Sequence, residues 1–253
     1  MIPPILHQTW KRKTGLSPRH EFWRSSFVTL NPGFQHPFYD DADNRAVVER
    51  FTPTLLPVYQ SYPAEINRVD FVRALYLFFF GGFYADLDFQ CLNPLSKYCA
   101  LNEVVFGRMG VENDFVHSIP NAMMASPQFD GFWIFYLRHM VRLRSQAVAG
   151  VEEQTGPVAL RQAILDYVKD HKAAREAIGA FLDEHPMTFD RARLCFHPVR
   201  ILPCRVWYPI DWSDNLHQMF RQKVLGEGLL LSTEEARRLF PMSDAVTYWE
   251  HGW

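Results

Sequence analysis

The stretch from Arg68 to Asp88, RVDFVRALYLFFFGGFYADLD, restricts the possible folds more than any other part of the chain. Pro63 suits the first turn of a helix, where its missing N–H is no loss. From Ala64 to about Phe80 there is no Gly or Pro, which predicts a helix. Gly81-Gly82 then supplies the positive-φ stop that helix ends favour. Asn67, Asp70 and Arg73 recur at three-residue steps, so such a helix carries them on one face. After the glycines, Phe83, Ala85 and Leu87 alternate with Tyr84, Asp86 and Asp88. That alternation predicts a strand with Asp86 and Asp88 on the same side, about 7 Å apart, and Tyr84 behind them. An apolar strand whose polar face ends in two carboxylates is hard to explain as core. It suits a grip on a divalent cation, which in turn grips phosphate.

Each part alone has a plainer reading. Asp70 and Arg73 fit an ordinary surface ion pair. A second Asp-x-Asp, Asp41-Ala42-Asp43, lies in the polar run Asp40 to Arg45 just before Ala46, Val47 and Val48. Helix N-capping explains that copy. Asp86-Leu87-Asp88 differs because aromatic sequence precedes it and a helix bearing Asp70 and Arg73 leads into it.

At 253 residues, with 48% hydrophobic and 15% aromatic content, the chain can bury one substantial core. A net charge of −2 argues against a nucleic-acid protein, since counterion-driven binding needs a strong basic excess. The longest apolar run, Ala74 to Tyr84, would span about 16 Å as a helix against a hydrocarbon core near about 30 Å. No signal peptide or transmembrane segment is read, which favours a cytoplasmic protein. Cys91, Cys99, Cys195 and Cys204 form no CxxC pair, so reduced thiols are expected and zinc ligation is not. In an oxidising compartment Cys91–Cys99 or Cys195–Cys204 would close small loops.

Elsewhere strands and helices alternate. Ile2 to His7 reads as the first strand, Val104 to Phe106 as another, and Pro203 to Ile210 as a late strand or extended loop. Asn121 to Ser126 is apolar apart from its ends. Helices are expected from Phe129 to about Val148, over Pro157 to His171, and over Ala173 to Leu182. The pattern implies an α/β fold with a mostly parallel central sheet flanked by helices, and ligands at the carboxyl ends of its strands.

Asp-x-x-Arg, an apolar helix, Gly-Gly-x-Tyr and Asp-x-Asp in that order resemble the DxD sugar-binding glycosyltransferases. These include the fungal outer-chain mannosyltransferases and many capsule and lipopolysaccharide enzymes. The opening Ile2-Pro3-Pro4-Ile5-Leu6-His7-Gln8-Thr9-Trp10 resembles the start of the same family. Asn31-Pro32-Gly33, Thr155-Gly156-Pro157, Leu202 to Ile210 and Trp249-Glu250-His251-Gly252-Trp253 match it in order. The family's closing His-x-x-x-Ser-Trp is replaced here by His251-Gly252-Trp253, which leaves open the residue that completes the metal shell. The resemblance implies a GT-A nucleotide-sugar fold with helical insertions. It implies one glycosyltransferase domain, with residues 1–107 as donor-binding core and residues 108–253 as acceptor-side helices and closing loop.

By the same resemblance, Asp88 is the direct ligand of Mn²⁺ or Mg²⁺, Asp86 shares the ion or holds ribose or sugar hydroxyls, and His251 is a further metal ligand. Asp70 and Arg73 bracket the donor sugar and join the two aspartates as the catalytic set. Trp10 stacks the nucleotide base, unless it is a buried core residue. His7, Gln8 and Tyr84 stand near the donor, His7 in a structural role. Asn121 contacts donor or acceptor, or merely forms a turn. Trp253 closes over the diphosphate, or frays. The expected partners are a UDP- or GDP-sugar and a glycan or lipid-linked glycan acceptor. The helix with Phe132, Trp133, Phe135, Tyr136, Arg138, Arg142 and Arg144 reads as core packing with solvated charges, or as a patch that meets anionic lipid. Lys11-Arg12-Lys13 would join such a patch.

A retaining hexosyl transfer by front-face return is therefore expected. A metal-dependent nucleotide-sugar phosphohydrolase and a non-catalytic nucleotide-sugar-binding relative are the competing functions.

Overall fold

A computed structural model describes residues 1–110, 115–146, 148, 150–211 and 214–250. Strand β1 (Leu6–Thr9) leads to helix α1 (Pro18–Leu30), β2 (Phe38–Tyr39), α2 (Asp41–Phe51), α3 (Leu56–Ser61) and α4 (Glu65–Phe79). Next come β3 (Gly82–Ala85), β4 (Phe89–Cys91), β5 (Val104–Gly107) and β6 (Met123–Ser126). A helical run follows: α5 (Gly131–Ser145), α6 (Val151–Gln154), α7 (Pro157–Lys169) and α8 (His171–Glu184). The chain returns through β7 (Val199–Leu202), α9 (Cys204–Trp207), α10 (Asn215–Gly226), α11 (Thr233–Leu239) and β8 (Ala245–Thr247).

The central sheet has the order β2-β1-β3-β6-β5-β7, and β4 pairs with β8 in a separate two-stranded ribbon. Among the six strands, β6 alone runs against its neighbours. The sheet is therefore mostly parallel and flanked by helices, as the alternation of elements predicts. Side chains of β3 split by parity. Tyr84 joins the cluster under α4 and α5, while Phe83 and Ala85 face a second cluster with Phe27 of α1 and Trp207 of α9.

Local chemistry explains the ends of the key elements. Helix α4 stops where Gly81 and Gly82 take φ of +65° and +90°. At Gly82 a Cβ would lie 2.4 Å from the carbonyl oxygen of Ile5, so only glycine lets β3 approach β1. The decoy acidic run is a capping box, in which Asp40 and Asp43 satisfy each other's backbone N–H at the start of α2.

Several expectations need correction. The first strand is Leu6–Thr9, with Ile2 to Ile5 leading in. Over Pro203 to Ile210 there is a helical turn, and the strand precedes it at Val199–Leu202. Strand β3 ends at Ala85, so Asp86 follows the strand and Asp88 occupies the turn into β4. The aromatic residues of α5, from Phe132 to Tyr136, are all buried against α4, α7 and α8, so they form core and not a lipid-facing patch. All four cysteines are free thiols. Among the described residues no helix is long and apolar enough to cross a membrane.

Candidate active site

Strands β1 and β3 run in parallel, and β6 runs against β3 with Ala85 opposite Met123. The carboxyl ends of β1 and β3 therefore share one sheet edge with the amino end of β6. Trp10 follows β1, Asp86 follows β3 and Asn121 precedes β6, so topology alone gathers the three. A cleft of about 360 Å³ opens at this edge, lined by Trp10, Asp70, Arg73, Asp86, Asp88 and Asn121 among others. This is the crevice outside the strand ends where α/β sheets bind ligands.

The α4 face forms the cleft floor, and it is not a surface. The side chains of Asp70 and Arg73 are each 3% exposed, which overturns the surface ion-pair reading. Arg73 Nη1 lies 3.2 Å from Asp70 Oδ1 and Nη2 2.9 Å from Asp86 Oδ1. The guanidinium also stacks over the ring of Tyr84, whose hydroxyl donates to Asp86 Oδ1 at 2.7 Å. Asn121 Nδ2 donates to Asp70 Oδ1 at 2.8 Å, and the Thr155 hydroxyl donates to Asp70 Oδ2 at 2.9 Å. Asn67, the third residue of the face, donates to that hydroxyl at 3.0 Å. Burial pushes the Asp70 carboxyl up to about 7 against the opposing pull of Arg73 and the neutral donors. Burial also works against the charge on Arg73, yet Asp86, Tyr84 and Asp70 outweigh it and raise the guanidinium's pKa.

Asp88 is different. Its Oδ2 accepts from the Thr247 hydroxyl and from Glu250 N, each at 3.0 Å. Its Oδ1 is buried with no hydrogen-bond partner among the described residues. Burial, then the charge of Asp86, pushes this carboxyl up to about 7, and burial raises Asp86 despite Arg73. Leaving a buried acceptor unpaired costs about 1–3 kcal/mol, more when it is charged. A hard divalent cation beside the orphaned oxygen would remove that cost and suits carboxylate ligands. The residues present thus fit the ion expected from the Asp-x-Asp pair.

Of the remaining predicted residues, Trp10 is partly exposed in the cleft wall, with its ring 4.6 Å from that of His20. His7 and Gln8 are buried outside the cleft lining. The His7 ring packs beside the stacked rings of Tyr39 and Tyr76 and bonds the Gly81 carbonyl at 2.9 Å. Tyr84 supports the floor from below. His251 and Trp253 lie outside the described residues. Sequence reasoning did not assign Thr155, Thr247 or the Glu250 backbone to the site. Hydroxyls and amides carry no periodic signal, and only the Thr155-Gly156-Pro157 match and the closing Trp249 to Trp253 match pointed near two of them.

A second group of ligand-type atoms, from Asp130, Cys195 and His197, lies within 4.8 Å of one another, away from the cleft. Each is already engaged. Asp130 caps α5 and accepts from His197 Nδ1 at 2.8 Å, while the Cys195 thiol donates to the carbonyls of Gln128 and Phe129.

Residues 17–105, which include Asp70, Arg73, Asp86 and Asp88, match the family described as glycosyltransferase sugar-binding region containing DXD motif. Inositol phosphoceramide mannosyltransferase 2 of Schizosaccharomyces pombe is 30% identical over 156 residues, covering 56% of this chain and 43% of that protein. An uncharacterized glycosyltransferase of Acanthamoeba polyphaga mimivirus is 27% identical over 173 residues, 68% of each chain. The chain thus spans less than half the length of the fungal relative. Among solved structures, the PaToxG glycosyltransferase superposes with a TM-score of 0.53 at 16% identity, covering 72% of this chain and 74% of that one. The fold is therefore a glycosyltransferase fold, and the DxD resemblance read from the sequence holds.

Proposed function

We propose, with residues 17–105 as a DXD sugar-binding region, that the chain is a metal-dependent, retaining glycosyltransferase. It moves a hexose from a nucleotide-sugar donor to a glycan or glycolipid hydroxyl. The observation that carries this reading is the orphaned Asp88 Oδ1 beside Asp86 at the cleft. Asp88 and Asp86 would hold Mn²⁺ or Mg²⁺, which supplies charge stabilisation to the departing diphosphate without a proton donor.

The chain's own residues do the rest. Trp10 offers an aromatic face to the nucleotide base. Asp70, locked by Arg73, Asn121 and Thr155, presents a fixed polar floor to the sugar. Arg73 supplies a positive charge whose direction is set by two carboxylates, as preorganised electrostatic catalysis requires. Both Asp70 oxygens already accept hydrogen bonds. That engagement favours return of the acceptor on the leaving-group face over a covalent enzyme intermediate. Residues 1–107 would form the donor side, and the helices beyond them the acceptor side. The fungal relatives' names point to mannose as the first sugar to test and to a phosphoinositol-bearing lipid as the first acceptor.

The experiment is a panel of UDP- and GDP-hexoses with Mn²⁺, read as released nucleoside diphosphate with and without glycan acceptor. Acceptor-stimulated release that Asp88→Ala abolishes is expected. Release of nucleoside monophosphate and sugar 1-phosphate, indifferent to any acceptor, would indicate a phosphohydrolase, and donor binding without release of either kind of product a non-catalytic relative.

A further inference from the structure

We propose that Arg221, on α10, is the positioning residue that fastens the arm of residues 247–250 across Asp88, so that Oδ2 is occupied and Oδ1 is left for an ion. This rests on the reading of Asp88 as the metal ligand. The Thr247 hydroxyl and the Glu250 N–H converge on one atom, Asp88 Oδ2. They converge because the chain bends between them at Trp249, which has φ of +55°. A bulky L-residue adopts that left-handed conformation at a cost, and it persists only where the surroundings over-determine it.

Arg221 is placed to do this. Its Nε donates to the Tyr248 carbonyl at 2.9 Å and its Nη2 to the Trp249 carbonyl. Those carbonyls belong to the peptide units on either side of the Trp249 Cα, so gripping both fixes its two backbone torsions. The Trp249 carbonyl and the Glu250 N–H share one planar trans peptide and point in opposite directions. Drawing that carbonyl toward Arg221 therefore turns the Glu250 N–H toward Asp88. Further ties hold the same bend. Trp249 N donates to the Thr247 hydroxyl, the indole N–H donates to the Ile210 carbonyl, and the Glu250 carboxylate lies 3.4 Å from Arg19. Arg221 alone among these touches both carbonyls. With Oδ2 occupied by two donors from the arm, Oδ1 is the oxygen left for an ion. A lysine keeps the charge but lacks the planar fork that reaches two acceptors at once.

The test is Mn²⁺ binding by the full chain without donor, followed by the electron paramagnetic resonance signal of free Mn²⁺. Urea unfolding is measured on the same samples. Wild type, Arg221→Lys, Arg221→Gln and Asp88→Asn are compared. Loss of an outer-shell partner typically weakens a metal by about 10- to 100-fold. A loss of that size is expected in Arg221→Lys, with an unfolding midpoint close to wild type. Wild-type Mn²⁺ affinity in folded Arg221→Lys, or in Arg221→Gln should the lysine variant not fold, overturns the proposal. Folded wild-type protein that does not bind Mn²⁺ overturns the reading of Asp88 instead, and the proposal with it.

Discussion

Arg73 Nη2 stands 2.9 Å from Asp86 Oδ1, tying the middle of α4 to the residue just after β3. The same guanidinium reaches Asp70, so one buried cation sits between a buried carboxylate and a half-buried one. Removing it strands both charges. Arg73→Met is expected to lower unfolding free energy by about 3–5 kcal/mol and to reduce turnover by at least about 100-fold. Urea titration and initial rates check the two separately. Wild-type stability in this variant would contradict the buried-cation account.

Asp88→Asn should behave in the opposite way toward stability. It removes a desolvated charge that faces Asp86, while its side-chain oxygen still accepts from Thr247 and Glu250. The metal-free variant is expected to gain about 1–2 kcal/mol at pH 8, a discounted share of the shift that burial imposes. It should also lose its stabilisation by Mn²⁺. Melting curves in EDTA and in Mn²⁺ read both effects, and a variant that Mn²⁺ still stabilises would point to a different ion site.

Thr155 is expected to matter through its hydroxyl, which donates to Asp70 and accepts from Asn67. Thr155→Val keeps the shape and leaves two buried polar groups unpaired. A stability loss of about 1–3 kcal/mol follows, with a rise in donor KM. Thr155→Ser should restore most of both. If valine and serine behaved alike, the hydroxyl would have no part in holding Asp70.

His7 supplies a pH dependence with a definite sign. Burial lowers its pKa from 6.5 to about 4, partly offset by its bond to the Gly81 carbonyl. Because the folded value is depressed, the unfolded chain takes up the proton first as pH falls. Its contribution is present above pH 6.5 and is lost progressively as pH falls toward about 4, by up to about 3 kcal/mol. Urea titrations between pH 7 and 4.5 should show a shallower slope for His7→Gln than for wild type. Parallel slopes would place the acid sensitivity in other groups.

Helix α4, its glycine stop, the strand after it and the shared face of Asn67, Asp70 and Arg73 all followed from residue spacing and backbone preference. Both act over a few residues, so a linear reading reaches them. Strand length did not follow. Alternation continues to Asp88, but the pairing of β3 with β6 ends at Ala85, beyond which Asp86 N bonds the Ala122 carbonyl and the chain turns. The environment of the acids is likewise a product of packing. Asp70 is held by Asn121 and Thr155, 51 and 85 residues away, and Asp88 by Thr247 and Glu250, 159 and 162 residues away. A hydroxyl or amide reveals its partner only when the sheet order brings it within about 3 Å. The ordered residues name the chemistry, and the folded chain decides which carboxylate oxygens meet donors and leaves the buried Asp88 Oδ1 without one among the described residues.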